Sequence, residues 1–295
     1  MPATAQTTLL LLENELEKKL SQVPLELHTV LELFGEDNTF LGTSVFFNKE
    51  QPFDDLASTP TSTVTTQSDA ILSATSKNIY LTTQITQEEQ EDIRAKLMNL
   101  VMQPPGQLDS ESELYLEQQL GELLGFQVSS NLDGFSLLYN TGKIKSLPHV
   151  KTNPNDTISS HEYPYAGLKS SRASYGWFLE NGSVNEASQR IEKYYCSLPL
   201  YYYPEWSEKS QQMKKWYKYR KMLIVNPFEG MAVVTAVATI GPAIPTRYQF
   251  GASPEAVIEG KLWSSQALGR VLVLFIDDPQ NSVPLGPIKL LNTTV

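Results

Sequence analysis

The chain has 295 residues, 41% hydrophobic and 19% charged, which suits one large domain or two ordinary ones and is too apolar for wholesale disorder. Its net charge of −10 is uneven: residues 1–150 carry 21 acidic and 8 basic side chains (−13), and residues 151–295 carry 12 and 15 (+3). The acidic front half disfavours generic binding of nucleic acid or anionic lipid, and a single cysteine, Cys196, excludes an intramolecular disulfide framework and a thiolate metal cluster.

The opening "MPATAQTTLLLLENELEKKL" has no basic segment ahead of its short apolar stretch, so no secretion signal is expected. No run reaches the roughly 18 apolar residues that a membrane helix needs. Leu9, Leu12, Leu16 and Leu20 fall at helical spacing and predict a helix over about residues 7–22. "TFLGTSVFFN" (39–48) predicts a strand, and Ser and Thr crowd residues 57–76 into a long loop. Thr86 and Glu89 form a capping box, followed by Ile93, Leu97, Leu100 and Val101 on one helix face. Ser110 and Glu113 repeat the device ahead of Leu116, Leu120, Leu123 and Leu124, with Gly125 as the stop. "GFQVSS" and "GFSLLYNTG" predict a hairpin. Residues 1–140 are therefore expected to form an acidic α+β domain.

Residues 141–175 read as an irregular connector rich in Pro, Asn and Ser. His149, Asp156, His161 and Glu162 fall inside it, but their spacing matches no metal-ligand rhythm, so neither a metal nor another cofactor is expected. Beyond it come short β-prone runs: "KYYCSLPLYYYPEW", "KMLIVNP", "MAVVTAVATIGP" and "GRVLVLFIDDP". No phosphate-binding glycine loop, Ser-His-Asp order or HExxH-type motif occurs.

The back third runs strand, "NPFEG" turn, strand, Gly241-Pro242, polar loop, short helix opening at Ser253-Pro254-Glu255, Gly260, strand. This order resembles the double-psi β-barrel of the rare lipoprotein A, barwin and expansin group, over about residues 190–280. The resemblance implies a six-stranded double-psi barrel-like domain over residues 176–295, so the chain as a whole is expected to be α+β, with the acidic, helix-containing N-terminal domain leading through the connector to that barrel. It also implies one short helix near 254–259. Glycan-cleaving members of that group place an acid two positions before the Gly of Gly-Pro. Here Thr239 stands there, and a hydroxyl cannot exchange protons near neutral pH as a carboxyl can. The three histidines, His28, His149 and His161, all precede the barrel segment.

The function expected on these grounds is a non-catalytic binding or assembly module, with a glycan or cell-wall polymer as its ligand. Tyr201, Tyr202, Tyr203, Trp206, Trp216 and Arg247 are the expected binding residues, because rings stack on sugars and a guanidinium donates to carboxylate or phosphate. "EKSQQMKKWYKYRK" interleaves lysines with rings and reads as a solvated strand start, able to bind single-stranded nucleic acid, to hold an anionic cell-wall polymer or to pair with the acidic front half. Two alternatives stand beside this reading. One is a glycan-cleaving enzyme, similar to a lytic transglycosylase, with displaced carboxylates and Glu205 as the first candidate acid. The other is a structural component of a phage-like or other protein assembly. Without a signal, the chain is expected in the cytoplasm or released or incorporated into a particle.

Overall fold

Apolar runs that alternate with turns leave backbone donors and acceptors to be paired sideways, and here they are paired in a ring. The computed structural model describes residues 86–180, 182–242 and 247–291, so the expected helix at 7–22, strand at 39–48 and loop at 57–76 lie outside the described residues. Helix α1 (Gln87–Val101) begins with the capping box read from sequence: the Thr86 amide donates to Glu89 Oε2 at 2.7 Å and the Glu89 amide donates back to Thr86 Oγ1. Its buried face is Ile93, Leu97, Leu100 and Val101, as predicted. Helix α2 (Ser110–Leu124) is capped one residue earlier than expected, by Asp109, whose Oδ1 accepts from the Ser112 amide at 2.8 Å. A carboxylate suits the positive end of a helix better than a hydroxyl. Gly125 ends it in the left-handed conformation.

The predicted hairpin is narrower than its sequence suggests. Strands β2 (Asn131–Leu132) and β3 (Phe135–Ser136) pair around Asp133-Gly134, both at positive φ. The preceding β1 (Val128–Ser129) leaves to pair elsewhere.

Six strands close a barrel: β4 (Thr141–Ser146), β7 (Tyr195–Leu198), β8 (Lys221–Asn226), β9 (Met231–Ile240), β10 (Phe250–Ala252) and β11 (Arg270–Ile276). Around the ring β4 pairs antiparallel with β11, β11 with β8 and β8 with β9; β9 runs parallel to β7, β7 antiparallel to β10, and β10 parallel to β4. Outside the ring β1 extends β11, and β12 (Gly286–Lys289) extends β9. The sequence places all six barrel strands within 190–280. Five arise there, but the sixth, β4, comes from the stretch read as connector. "TGKIKS" hides because two lysines alternate with its buried positions, and only its neighbours make it a strand.

Strands β8, β9 and β11 are apolar almost throughout because both of their faces are covered. Helix α1 packs on β4 and β11, and one continuous core runs from Leu97 and Leu120 to Val233 and Leu274. The acidic helices thus share the barrel's core.

Two helices escaped the sequence reading. Helix α3 (Glu186–Lys193) is capped by Asn185. Helix α4 (Trp206–Tyr217) replaces the expected strand start, since Met213 and Tyr217 bury at i, i+4 spacing among good helix formers. The predicted short helix is present as α5 (Pro254–Glu259), with Ser253 Oγ accepting from the Ala256 amide. Gly260 has an ordinary helical φ of −80°; it is glycine because a Cβ would lie 2.0 Å from Val233 Cγ2 on β9.

The segment between β11 and β12 is held by one carboxylate. Asp278 accepts from Lys221 Nζ at 2.6 Å, from the Ser282 amide at 2.7 Å and from the Val283 amide at 2.9 Å. Burial opposes its ionisation, but Lys221 and the two amides outweigh it and hold the pKa at about 2. An Asp in the unfolded chain titrates near 3.9, so this clasp stabilises the fold fully above about pH 4 and is lost as pH falls through 2. Asp278→Ala should cost roughly 1–2 kcal/mol at pH 7, allowing for solvent screening, and much less at pH 2. Thermal melts of both proteins across that range measure it.

Candidate functional site

Of the residues expected to bind ligand, the structure pairs some and separates others. Tyr201 and Tyr202 stand exposed on a 3-10 turn (Leu200–Tyr202), with Trp206 edge-on to Tyr201 at 5.0 Å. Tyr203 belongs to the packing: its hydroxyl accepts from the Leu138 amide and from Tyr217 Oη, both at 3.0 Å. Trp216 stacks on Phe135 with ring centres 4.3 Å apart and carries the Arg220 guanidinium 4.2 Å above its ring. Arg247 is exposed and lies over Tyr248, its guanidinium 5.3 Å from the ring centre. Glu205 is also exposed, so no apolar wall surrounds the carboxyl considered as an acid.

An open groove of about 540 Å³ runs past Phe135, Trp216 and Tyr219, with Lys215, Lys218 and Arg220 among its lining residues. The turn from α4 into β8 creates it. Sequence put rings and cations together here; the hairpin that supplies Phe135 was invisible as a partner.

At the Gly241-Pro242 corner Thr239 is buried on β9, level with Ser197 of β7, and its Oγ1 has no hydrogen-bond partner among the described residues.

A second site lies where the irregular segment meets α3 and α5. His149 opens strand β5 (His149–Val150), which pairs with β6 (Leu168–Lys169), and its ring is fully buried. Its Nε2 lies 3.3 Å from the Tyr163 carbonyl oxygen, which can only accept, so that nitrogen carries the proton. Its Nδ1 then faces carboxylates: Glu192 Oε1 of α3 at 3.5 Å and Glu255 Oε1 of α5 at 3.6 Å. His161 repeats the arrangement, with Nε2 3.1 Å from Asp156 Oδ2 and Nδ1 3.4 Å from the same Glu192 Oε1. The two rings lie 4.5 Å apart. Asp156 is itself fixed by the Thr152 amide at 2.7 Å and by the Thr152 and Ser160 hydroxyls.

The electrostatics follow from burial set against pairing. Burial works against the charge on His149, but Glu192 and then Glu255 outweigh it and raise its pKa above the usual imidazole value. Glu192 raises that of His161 against burial. Glu192 is held below the ordinary range by the two imidazoles despite its own burial, and Asp156, also against burial, is held at about 2 by the Thr152 amide and the hydroxyls. Glu255 goes the other way: burial pushes it up to about 7, and its Oε2 has no partner among the described residues. Donor atoms of His149, His161 and Glu192 lie within 4.8 Å of one another, the spacing of a set that could hold a metal ion.

The histidine group weighed in the sequence is thus rearranged. His149, Asp156 and His161 do come together. Glu162 turns outward to Lys193 at 3.0 Å, and its place is taken by Glu192 and Glu255, some thirty and more than ninety residues further on. Only their burial as charged residues on short helices distinguishes them, and sequence does not show that.

No protein-family model, curated protein or solved structure matches the chain. The described residues form a mixed α/β structure built on a closed six-stranded barrel.

Thr239→Val tests the corner. A buried hydroxyl without a partner carries a desolvation penalty that valine removes at nearly the same shape. The variant should melt at or slightly above the wild-type temperature and keep any ligand affinity. A loss of 2 kcal/mol or more would assign the hydroxyl a role.

Proposed function

We propose that the protein is a non-catalytic binding module, and that its ligand is a glycan polymer bearing carboxylate or phosphate groups. The observation that carries this reading is the groove at the α4–β8 turn, where a stacked Phe135–Trp216 pair and Tyr219 sit among Lys215, Lys218 and Arg220. Ring faces suit sugar faces, and the cations suit anionic substituents on the same chain. Arg220 is ion-paired with Asp133 at 3.4 Å, which leaves the exposed Lys215 and Lys218 as the groups a polymer would engage first. A double-psi relationship remains part of this proposal. The mixed closed barrel, the Gly-Pro corner and the short helix at 254–259 support it, and a threonine at the usual acid position favours binding over cleavage.

The test is binding of carboxylated peptidoglycan fragments, a neutral glucan and single-stranded DNA to the full chain, at low and high salt. The wild type should prefer the anionic glycan, and Lys215→Glu/Lys218→Glu should weaken it by roughly tenfold at low salt with a shallower salt dependence. Unchanged affinity in that variant removes the groove as the site. Turnover of any of these polymers would overturn the non-catalytic reading, and preference for DNA would overturn the ligand class.

A further inference from the structure

The buried histidine–carboxylate cluster has more structure than an ion pair requires. The Tyr163 carbonyl fixes the neutral His149 tautomer with its Nδ1 lone pair towards Glu192 Oε1, and when His161 donates from Nε2 to Asp156 its Nδ1 lone pair faces the same anionic oxygen. Lone pairs facing an anion repel it. Two remedies exist: two imidazolium ions buried with ring centres 4.5 Å apart, or one cation shared by all three donors. The first sets two like charges side by side, offset by the carboxylates of Glu192, Glu255 and Asp156. The second needs only that the donors stand at coordination distances.

They do. For a tetrahedral zinc site with bonds near 2.05 Å, donors stand about 3.3 Å from one another. Glu192 Oε1 stands 3.4 Å from His161 Nδ1 and 3.5 Å from His149 Nδ1. The outer contacts also fit, because metal-binding imidazoles donate their other N–H to a carboxylate or a backbone carbonyl, as His161 does to Asp156 and His149 to Tyr163. His149 Nδ1 and Glu255 Oε2 are buried and without hydrogen-bond partners among the described residues, and both belong to this cluster.

We propose that His149 Nδ1, His161 Nδ1 and Glu192 Oε1 bind one divalent transition-metal ion of the zinc class, with Glu255 holding the water that completes the shell. Imidazole nitrogen with carboxylate oxygen selects zinc-like ions over magnesium or calcium. The side chains of all four residues are at most 6% exposed, so no substrate reaches the ion and its role is structural. It ties the irregular segment between β4 and α3 to α3 and to α5. This site is independent of the groove and of any glycan.

The experiment uses the full chain without an affinity tag, stripped with a chelator, then titrated with Zn²⁺ and Co²⁺. The expected result is one equivalent bound, the intense visible absorption of tetrahedral Co²⁺, and a Tm raised by about 5 °C or more at saturating Zn²⁺. His161→Ala should abolish all three, while His28→Ala, which removes the only other imidazole in the chain, should change none. His161→Cys should restore binding and add a thiolate charge-transfer band. Weak octahedral Co²⁺ absorption, no binding by the wild type, or one-equivalent binding surviving in His161→Ala would each overturn the proposal. If His161→Ala does not fold, the wild-type Co²⁺ spectrum decides alone.

Discussion

The fold depends on a three-residue strand. Phe250–Ala252 pairs parallel with Ile144–Ser146 on one edge and antiparallel with Cys196–Ser197 on the other, and without it the ring from β4 round to β7 stays open. An open sheet would leave two edges of unpaired amides and carbonyls. The strand is short but well anchored. The Leu147 amide donates to the Ala252 carbonyl at 2.8 Å, the Gln249 amide to Lys143 at 2.9 Å and the Ser253 amide to Tyr195 at 2.9 Å. Gly251 has no Cβ because one would lie 2.6 Å from Leu147 Cδ1, so the segment leaving β4 packs directly on β10.

Barrel closure and the buried cluster are consecutive in the chain. Ser253 follows β10 at once, donates its hydroxyl to the Lys193 carbonyl at the end of α3 and caps α5. That cap orients the first turn of α5, which delivers Glu255 to His149. Since α3 leads straight into β7, Glu192 is fixed by the same closure. Strand β10 itself thus positions Glu255 and its neighbour β7 positions Glu192, while the segment after β4 brings the histidines to them. Lys193, paired with Glu162 at 3.0 Å and Glu259 at 3.2 Å, seals the outer side with Tyr194, whose hydroxyl donates to Glu259 at 2.6 Å.

What was legible in the sequence follows from which forces are local. Capping at Thr86 and Ser253, the leucine stripes of α1 and α2, and the long strands β8, β9 and β11 are written in neighbouring residues. Strand β4 was not, because two lysines mask it until β10 and β11 flank it. Helix α4 was misread because its rings and lysines suggest a strand start, whereas only Met213 and Tyr217 carry its buried face. The cluster was half legible. His149, Asp156 and His161 are neighbours in sequence, but the carboxylates that give them a shared centre arrive from α3 and α5 through tertiary packing alone.

Native-state hydrogen exchange of the Leu147, Gln249 and Ser253 amides tests most directly whether β10 closes the barrel. If it does, these amides exchange only through global unfolding, with the same free energy as amides in the middle of β9. Exchange of all three at several kcal/mol lower free energy than β9, with β8, β9 and β11 still protected, would show a sheet that holds together without β10 and would contradict the account.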